Sequence, residues 1–330
     1  MIMPIRKSSS RKSVSQQPEG FSVYFEPVKA QMEMVRKRLC RSLMTDYKGL
    51  NRQLESIGVG GGKLFRPALV LLSGRACGSL GQEHIELAAL VELVHTATLL
   101  HDDVIDKAGM RRGGPTANVL WGNTAAVLQG DFLLSKAFLA GAKLNIPTAT
   151  LVLGRTAEKI CRGELLQNLR RGDWRIGQRQ YLEIIQAKTA SLFEAGCYLA
   201  ALGSGADKKA ADLLAEYGRC VGLAFQITDD ILDITGDSSK AGKTLRTDLA
   251  QGKLTLPVIH FLRSAGPDGR NKLKGRHKLA LLLEKSGSLK YARRKAADFA
   301  TEAVRALGSL RPGRARNALE AIAVAVGRRT

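Results

Sequence analysis

Two acidic clusters of one form, Asp102-Asp103-Val104-Ile105-Asp106 and Asp229-Asp230-Ile231-Leu232-Asp233, lie in otherwise apolar stretches of this chain. Carboxylates without partners are costly to bury, so such clusters need a reason. On a helix the outer aspartates of each DDxxD share a face, about 6 Å apart along the axis. Acids held that close repel one another unless a hard cation lies among them. Magnesium takes such oxygen ligands and completes its shell with water and substrate phosphates. Two such faces in one chain imply a clamp for metal and diphosphate on opposing walls of a pocket.

Cations fit for the same purpose are scattered through the chain. Gly60-Gly61-Gly62-Lys63-Leu64-Phe65-Arg66-Pro67 opens a helix. Glycines let backbone approach a phosphate, and helix N-termini favour anions. Read in isolation, the same stretch is a flexible turn with two solvated bases. Arg111-Arg112, Lys188-Thr189, Lys243 and Lys253 supply further anchors. His95 precedes Asp102 by two helical turns and shares its face. Both a ligand contact and a satisfied core histidine suit that position. Gln226, one turn before Asp230, is either a contact or a core amide. Neither cluster comes with a Ser-His-Asp or Cys-His set. The implied chemistry rests on metal ions and fixed positive charge around a leaving diphosphate, not on a protein nucleophile.

The elements that must position these groups are helices. Between Glu83 and Asp106, apolar residues recur at three- and four-residue steps, and 151–171, 179–203, 208–233, 277–286 and 289–308 read the same way. Glycine and proline punctuate the joins, and β-branched alternation is scarce. The expectation is an all-α bundle forming a single domain over 21–330, because each half supplies one acidic cluster to one site. Residues 1–20, with Arg6, Lys7, Arg11 and Lys12 among serines, are expected to be a disordered basic tail. The composition would also suit a mitochondrial presequence.

Across 330 residues, 45% hydrophobic and 25% charged content are those of an ordinary globular chain. No apolar run reaches the roughly 18 residues of a membrane span. The net charge of +21 raises nucleic acid, anionic membrane or polyanionic substrates as partners. Aromatics are only 5%, with no basic stripe interleaved by them, so nucleic-acid binding is not expected. Peripheral docking on anionic membrane stays open. Five cysteines without CxxC pairing are expected to be reduced thiols in the cytoplasm.

GGKLFRP, HTATLLHDDVID, RRG, GELLQ, KTASLF, FQITDDILD and DLAQGKLTLP occur in an order that resembles the trans-type polyprenyl diphosphate synthases. Long-chain members, octaprenyl and heptaprenyl diphosphate synthases, are the nearest in pattern. The resemblance implies a helical bundle of the isoprenoid synthase type with a central elongation cavity, usually a homodimer. It implies magnesium-dependent condensation of isopentenyl diphosphate with an allylic diphosphate, giving a long all-trans product for quinone side chains. By the same resemblance, Asp102 and Asp106 with Asp103, and Asp229 with Asp230 and Asp233, bind magnesium bridged to the allylic diphosphate. Arg111, Lys188, Thr189, Gln226 and Lys243 would hold that diphosphate, with Lys253 a further anchor. Lys63, Arg66, His95 and Arg112 would hold isopentenyl diphosphate. Arg246 stands where the family usually has glycine, which bears on the contacts of Lys243.

Ala97 and Thr98 lie five and four residues before Asp102, about one turn below the metal site on a helix. Large aromatic residues there end chain growth early in this family; small ones leave the shaft open. A product of about seven to ten isoprene units is therefore expected. The alternatives are a short-chain synthase making farnesyl or geranylgeranyl diphosphate, a class I terpene cyclase, and a non-catalytic partner subunit. A cyclase needs only one diphosphate site, and partner subunits typically lose their acidic clusters.

Overall fold

The computed structural model describes residues 21–236, 247–273 and 279–329. The tail 1–20, Lys243 and Arg246 lie outside the described residues. After a 3-10 segment, Phe21–Val28, come α1 (Lys29–Ser42), α2 (Lys48–Ser56), α3 (Phe65–Cys77) and α4 (Gln82–Ile105). A two-residue hairpin pairs Met110–Arg111 with Gly114–Pro115. Then follow α5 (Ala117–Trp121), α6 (Asn123–Ala142), α7 (Ala149–Leu169) and α8 (Gln178–Ile185). A π turn over Gln186–Ala190 joins α8 to α9 (Ser191–Gly203), and α10 runs Lys208–Thr235. The remainder is α11 (Thr247–Ala250), α12 (Leu256–Ala265), α13 (Gly269–Lys272), α14 (Leu279–Lys285), α15 (Ser288–Ala306) and α16 (Arg314–Gly327). The fold is the expected all-α bundle.

The periodic segments became helices within a few residues of their expected ends, but two features differ. The stretch 179–203 is not one regular helix, because the π turn interrupts it. A long helix also forms over Asn123–Ala142, where leucine, phenylalanine and alanine lie on every side. Its one-sided period is faint, which is why the pattern reading passed over it.

Helices α3, α4, α9 and α10 bury most of their residues and form the centre. The Phe65 ring stacks on Phe225 at 5.3 Å and meets the edge of Phe193 at 5.9 Å, tying α3, α9 and α10 together. The α10 crossing depends on small residues. A Cβ on Gly218 would stand 2.5 Å from the Phe193 carbonyl oxygen, and one on Gly222 2.7 Å from the Ala190 Cα. These two glycines, four residues apart on one face of α10, let its axis come up against α9 and the π turn. At the N-terminus of α10, Asp207 caps by accepting from the Ala210 N–H at 2.8 Å. Both acidic clusters therefore end long central helices, Asp102–Asp106 on α4 and Asp229–Asp233 on α10. Helix C-termini carry the negative end of the dipole, so each cluster deepens a potential that already draws cations.

Candidate active site

A cavity of about 560 Å³ separates the ends of α4 and α10. Asp102 lines one wall and Asp229 another. Arg66, His95, Arg111 and Arg112 contribute from α3, α4 and the hairpin. Lys188, Thr189 and Gln226 complete it from the π turn and α10. A smaller cleft of about 200 Å³ shares Asp102, Lys188, Thr189 and Gln226, and adds Asp106, Asp230 and Lys253. The two sequence-distant clusters thus face common space.

The individual side chains divide into groups. Asp102 meets Lys188 Nζ at 3.3 Å, and Lys188 also pairs with Glu164 and donates to Gln167 at 3.1 Å. Burial raises the Asp102 pKa, and Glu164 and Asp106 add to it, against the pull of Lys188. Burial opposes the charge of Lys188, yet Asp102 and Glu164 hold its pKa above the ordinary range. Asp106 accepts from Lys253 at 2.5 Å and pairs with Arg171; despite burial these cations hold its carboxyl low. Asp229 accepts from Arg329 at 2.8 Å, and that guanidinium lies over the Phe225 ring.

The inner aspartates do different work. Asp103 is buried and takes a bidentate pair from Arg111, with N–O distances of 2.6–2.9 Å. It therefore sets the angle of Arg111 at the cavity wall. Asp230 accepts from Tyr181 at 2.6 Å and from Gln226 at 2.8 Å. Burial, with Asp248 and Asp229 nearby, pushes its carboxyl up to about 8. Gln226 in turn accepts from Thr189 at 2.9 Å, so its amide is oriented from both ends. Asp233 is buried. Lys63 is exposed and lines neither cavity.

The oxygen donors of Asp102, Asp106 and Asp229 fit a hard divalent cation. Two carboxyls with raised pKa, the half-buried Asp102 and the buried Asp230, mark the same region as one where positive charge is in demand. Burial and the neighbouring Arg66, Arg112 and Arg111 drive the His95 pKa well below its usual value, so the imidazole is neutral. Thr98 and Leu99 line the cavity below Asp102, whereas Ala97 is fully buried.

Several participants were not singled out from sequence. Glu164 and Gln167 face Lys188 from α7, where their three-residue spacing was the available signal. Tyr181 lies across the π turn from Lys188, so ordinary helical phase misplaces it. Arg171 and Arg329 sit at chain ends of helices, where no period applies. Glu92 is a charged residue at a buried α4 position, one turn before His95.

The model of the family described as Polyprenyl synthetase matches residues 48–291. The chain is 38% identical over 286 residues to the octaprenyl diphosphate synthase of Escherichia coli, covering 84% of this chain and 88% of that protein. It is also 38% identical over 306 residues to the short chain isoprenyl diphosphate synthase of Methanothermobacter thermautotrophicus, covering 88% and 94%. The polyprenyl synthase of Caulobacter crescentus, solved as a complex with calcium and isoprenyl diphosphate, superposes with a TM-score of 0.88. It is 35% identical, and the match covers 96% of this chain and 100% of that one.

Proposed function

For a chain that belongs to the polyprenyl synthetase family, and is therefore a polyprenyl diphosphate synthase using a divalent metal, we propose a long-chain product and magnesium as the ion. The observation that carries this reading is the facing of Asp102 and Asp229 across one cavity rimmed by cations. Asp102, Asp106 and Asp229 would hold magnesium, which when bound would supply positive charge to the allylic carbon–oxygen bond as it breaks. Lys188 and Arg111 point fixed positive charge at the leaving diphosphate, so little reorganisation is needed as that bond breaks. Arg66, Arg112 and the neutral His95 seat isopentenyl diphosphate with its double bond toward the allylic carbon, and Lys63 closes on it from the rim. Gln226 and Thr189 fix the wall between the two diphosphates. After the new carbon–carbon bond forms, the released diphosphate is the nearest strong base for the proton that leaves.

Relatives of similar identity include both long- and short-chain synthases, so product length rests on the cavity. Thr98 and Leu99 form its lower wall on α4, and neither is aromatic. Incubation of the purified protein with isopentenyl diphosphate, farnesyl diphosphate and magnesium is expected to give products of about seven to ten isoprene units, as follows if no aromatic side chain on α4 stops growth below Asp102. Products ending at farnesyl or geranylgeranyl length would replace this reading with the short-chain one. Thr98→Tyr, which places a ring in the shaft, is expected to move the product distribution several units shorter on the same chromatogram. An unchanged distribution would take Thr98 out of the growth path.

The reading extends to a homodimer. Leu128, Leu139, Leu165 and Leu169 on α6 and α7 stand exposed, the last two at 70% and 75%. An apolar row of this extent suits a self-complementary contact. No helix among the described residues is long and apolar enough to cross a membrane. Five free cysteines suit the reducing cytoplasm, where the basic surface could meet anionic lipid.

A further inference from the structure

Glu92 is 96% buried by the measure that leaves 4% of its surface exposed, yet among the described residues no hydrogen bond or ion pair reaches it. It lies on the face of α4 that continues through His95 and Leu99 to Asp102, at three- and four-residue steps. Three guanidinium groups from three other elements act on it: Arg36 from α1, Arg66 from α3 and Arg112 from the hairpin. Each is held on a framework of its own. Arg36 donates to the Gly60 carbonyl at 2.6 Å. Arg66 lies over the Phe193 ring at 4.4 Å, and its Nε is buried without a partner. Arg112 packs so close to Gly62 that a Cβ there would stand 2.9 Å from its Nη2. His95, one turn on, is neutral. A single buried carboxyl therefore sits behind the cations assigned above to isopentenyl diphosphate.

Like-charged guanidiniums gathered in a half-buried pocket repel one another, and burial lowers even the Arg66 pKa to about 10. An acid behind them offsets that repulsion while the pocket is open to solvent. Once a diphosphate enters from the front, the same acid becomes surplus negative charge in a drier site. Burial already pushes Glu92 up to about 7 against the pull of Arg66, Arg112 and Arg36. A carboxyl poised there can leave or take a proton near neutrality.

We propose that Glu92 is a positioning residue of the isopentenyl diphosphate site, a buried counter-ion whose charge offsets the mutual repulsion of Arg66 and Arg112 and which takes up one proton when the diphosphate binds. This rests on the assignment of those arginines to isopentenyl diphosphate. The proton comes from solvent and stays on the carboxyl, with no bond to substrate. The sign follows from linkage: binding that requires protonation weakens as pH rises through and beyond the free-site value.

The test is calorimetric titration of isopentenyl diphosphate into the full chain, in two buffers of different ionisation enthalpy at pH 8, with steady-state KM measured from pH 6.5 to 9. The wild type is expected to take up about one proton more per site than Glu92→Gln, as linkage to a single carboxyl requires. Its KM for isopentenyl diphosphate should rise with pH more steeply than that of the variant. Glu92→Ala, which loses the buried side chain as well as the charge, should raise that KM about tenfold while the allylic KM stays put. Glu92→Gln should recover most of that loss at pH 7. Equal proton uptake and parallel pH profiles in wild type and Glu92→Gln would overturn the proposal, whether or not the alanine variant folds. Arg66→Ala with an unchanged KM for isopentenyl diphosphate would instead overturn the site assignment, and the role of Glu92 with it.

Discussion

Asp102→Ala or Asp229→Ala is expected to lower kcat by about a thousandfold or more, the scale on which a preorganised charge at a reacting diphosphate acts. The two residues come from helices far apart in sequence, yet they line one cavity. Removing either takes an oxygen donor from the place where charge develops. The fold should survive the change. Burial raises the Asp102 pKa, so its ionised form is held at a cost in the folded state, and stability tied to a raised carboxyl falls as pH climbs past its ordinary range. Replacing it should leave the neutral-pH melting temperature equal or slightly higher, with Lys188 still paired to Glu164 and bonded to Gln167. Turnover and thermal melts on the same preparations separate the two effects. A variant retaining a tenth or more of parental kcat at saturating magnesium would end the proposed role.

Gly163→Ala should lower both stability and turnover although it replaces no charged group. A Cβ on Gly163 would stand 2.6 Å from the Lys188 backbone nitrogen and 3.0 Å from both the Lys188 Cα and the Ala187 Cβ. Two of these are backbone atoms and the third is a Cβ fixed to the backbone, so none can swing aside and α7 and the π turn must separate. Overpacking of this kind typically costs about 1–3 kcal/mol. The displaced residue is Lys188, and a misplacement near 1 Å can lower turnover by about a hundredfold. Chemical denaturation and kcat at saturating substrates would check both figures. The effect should fall on kcat and the allylic KM more than on the KM for isopentenyl diphosphate. A variant with parental stability would show that the contact is looser than the geometry indicates.

The acidic clusters were legible because they combine residue type with helical period in apolar surroundings, where a solvated face is implausible. Gln226 was legible through its distance from a cluster, Arg66 through a glycine turn, and Lys188 through the KTASLF motif. What escaped was set by contacts between elements. Asp103 reads like its neighbours in sequence, and only the return of the hairpin brings Arg111 onto it. Tyr181 reaches Asp230 across 49 residues, through a turn whose extra residue changes the phase of everything before it. Arg329 meets Asp229 across 100 residues. Glu92 was visible in principle: a charge flanked by Val91, Leu93 and Val94 on a buried helix needs an explanation. Helix α6 escaped for the opposite reason, having too many apolar faces to show one.

The π turn at Gln186–Ala190 widens the helix by roughly one residue for each turn it spans, with weaker hydrogen bonding than a regular helix. It is what swings Lys188 and Thr189 into the cleft while Ala190 stays in the core. The segment is therefore tied to both packing and chemistry. Deleting Ala187 would favour one unbroken rod from Gln178 to Gly203 but would turn the buried Tyr181, Ile184 and Ile185 out of phase with the core, so such a protein should melt lower than its parent as well as lose nearly all turnover. Lineages under thermal selection would have to find their gains elsewhere, on the outer helices, and leave this irregularity alone.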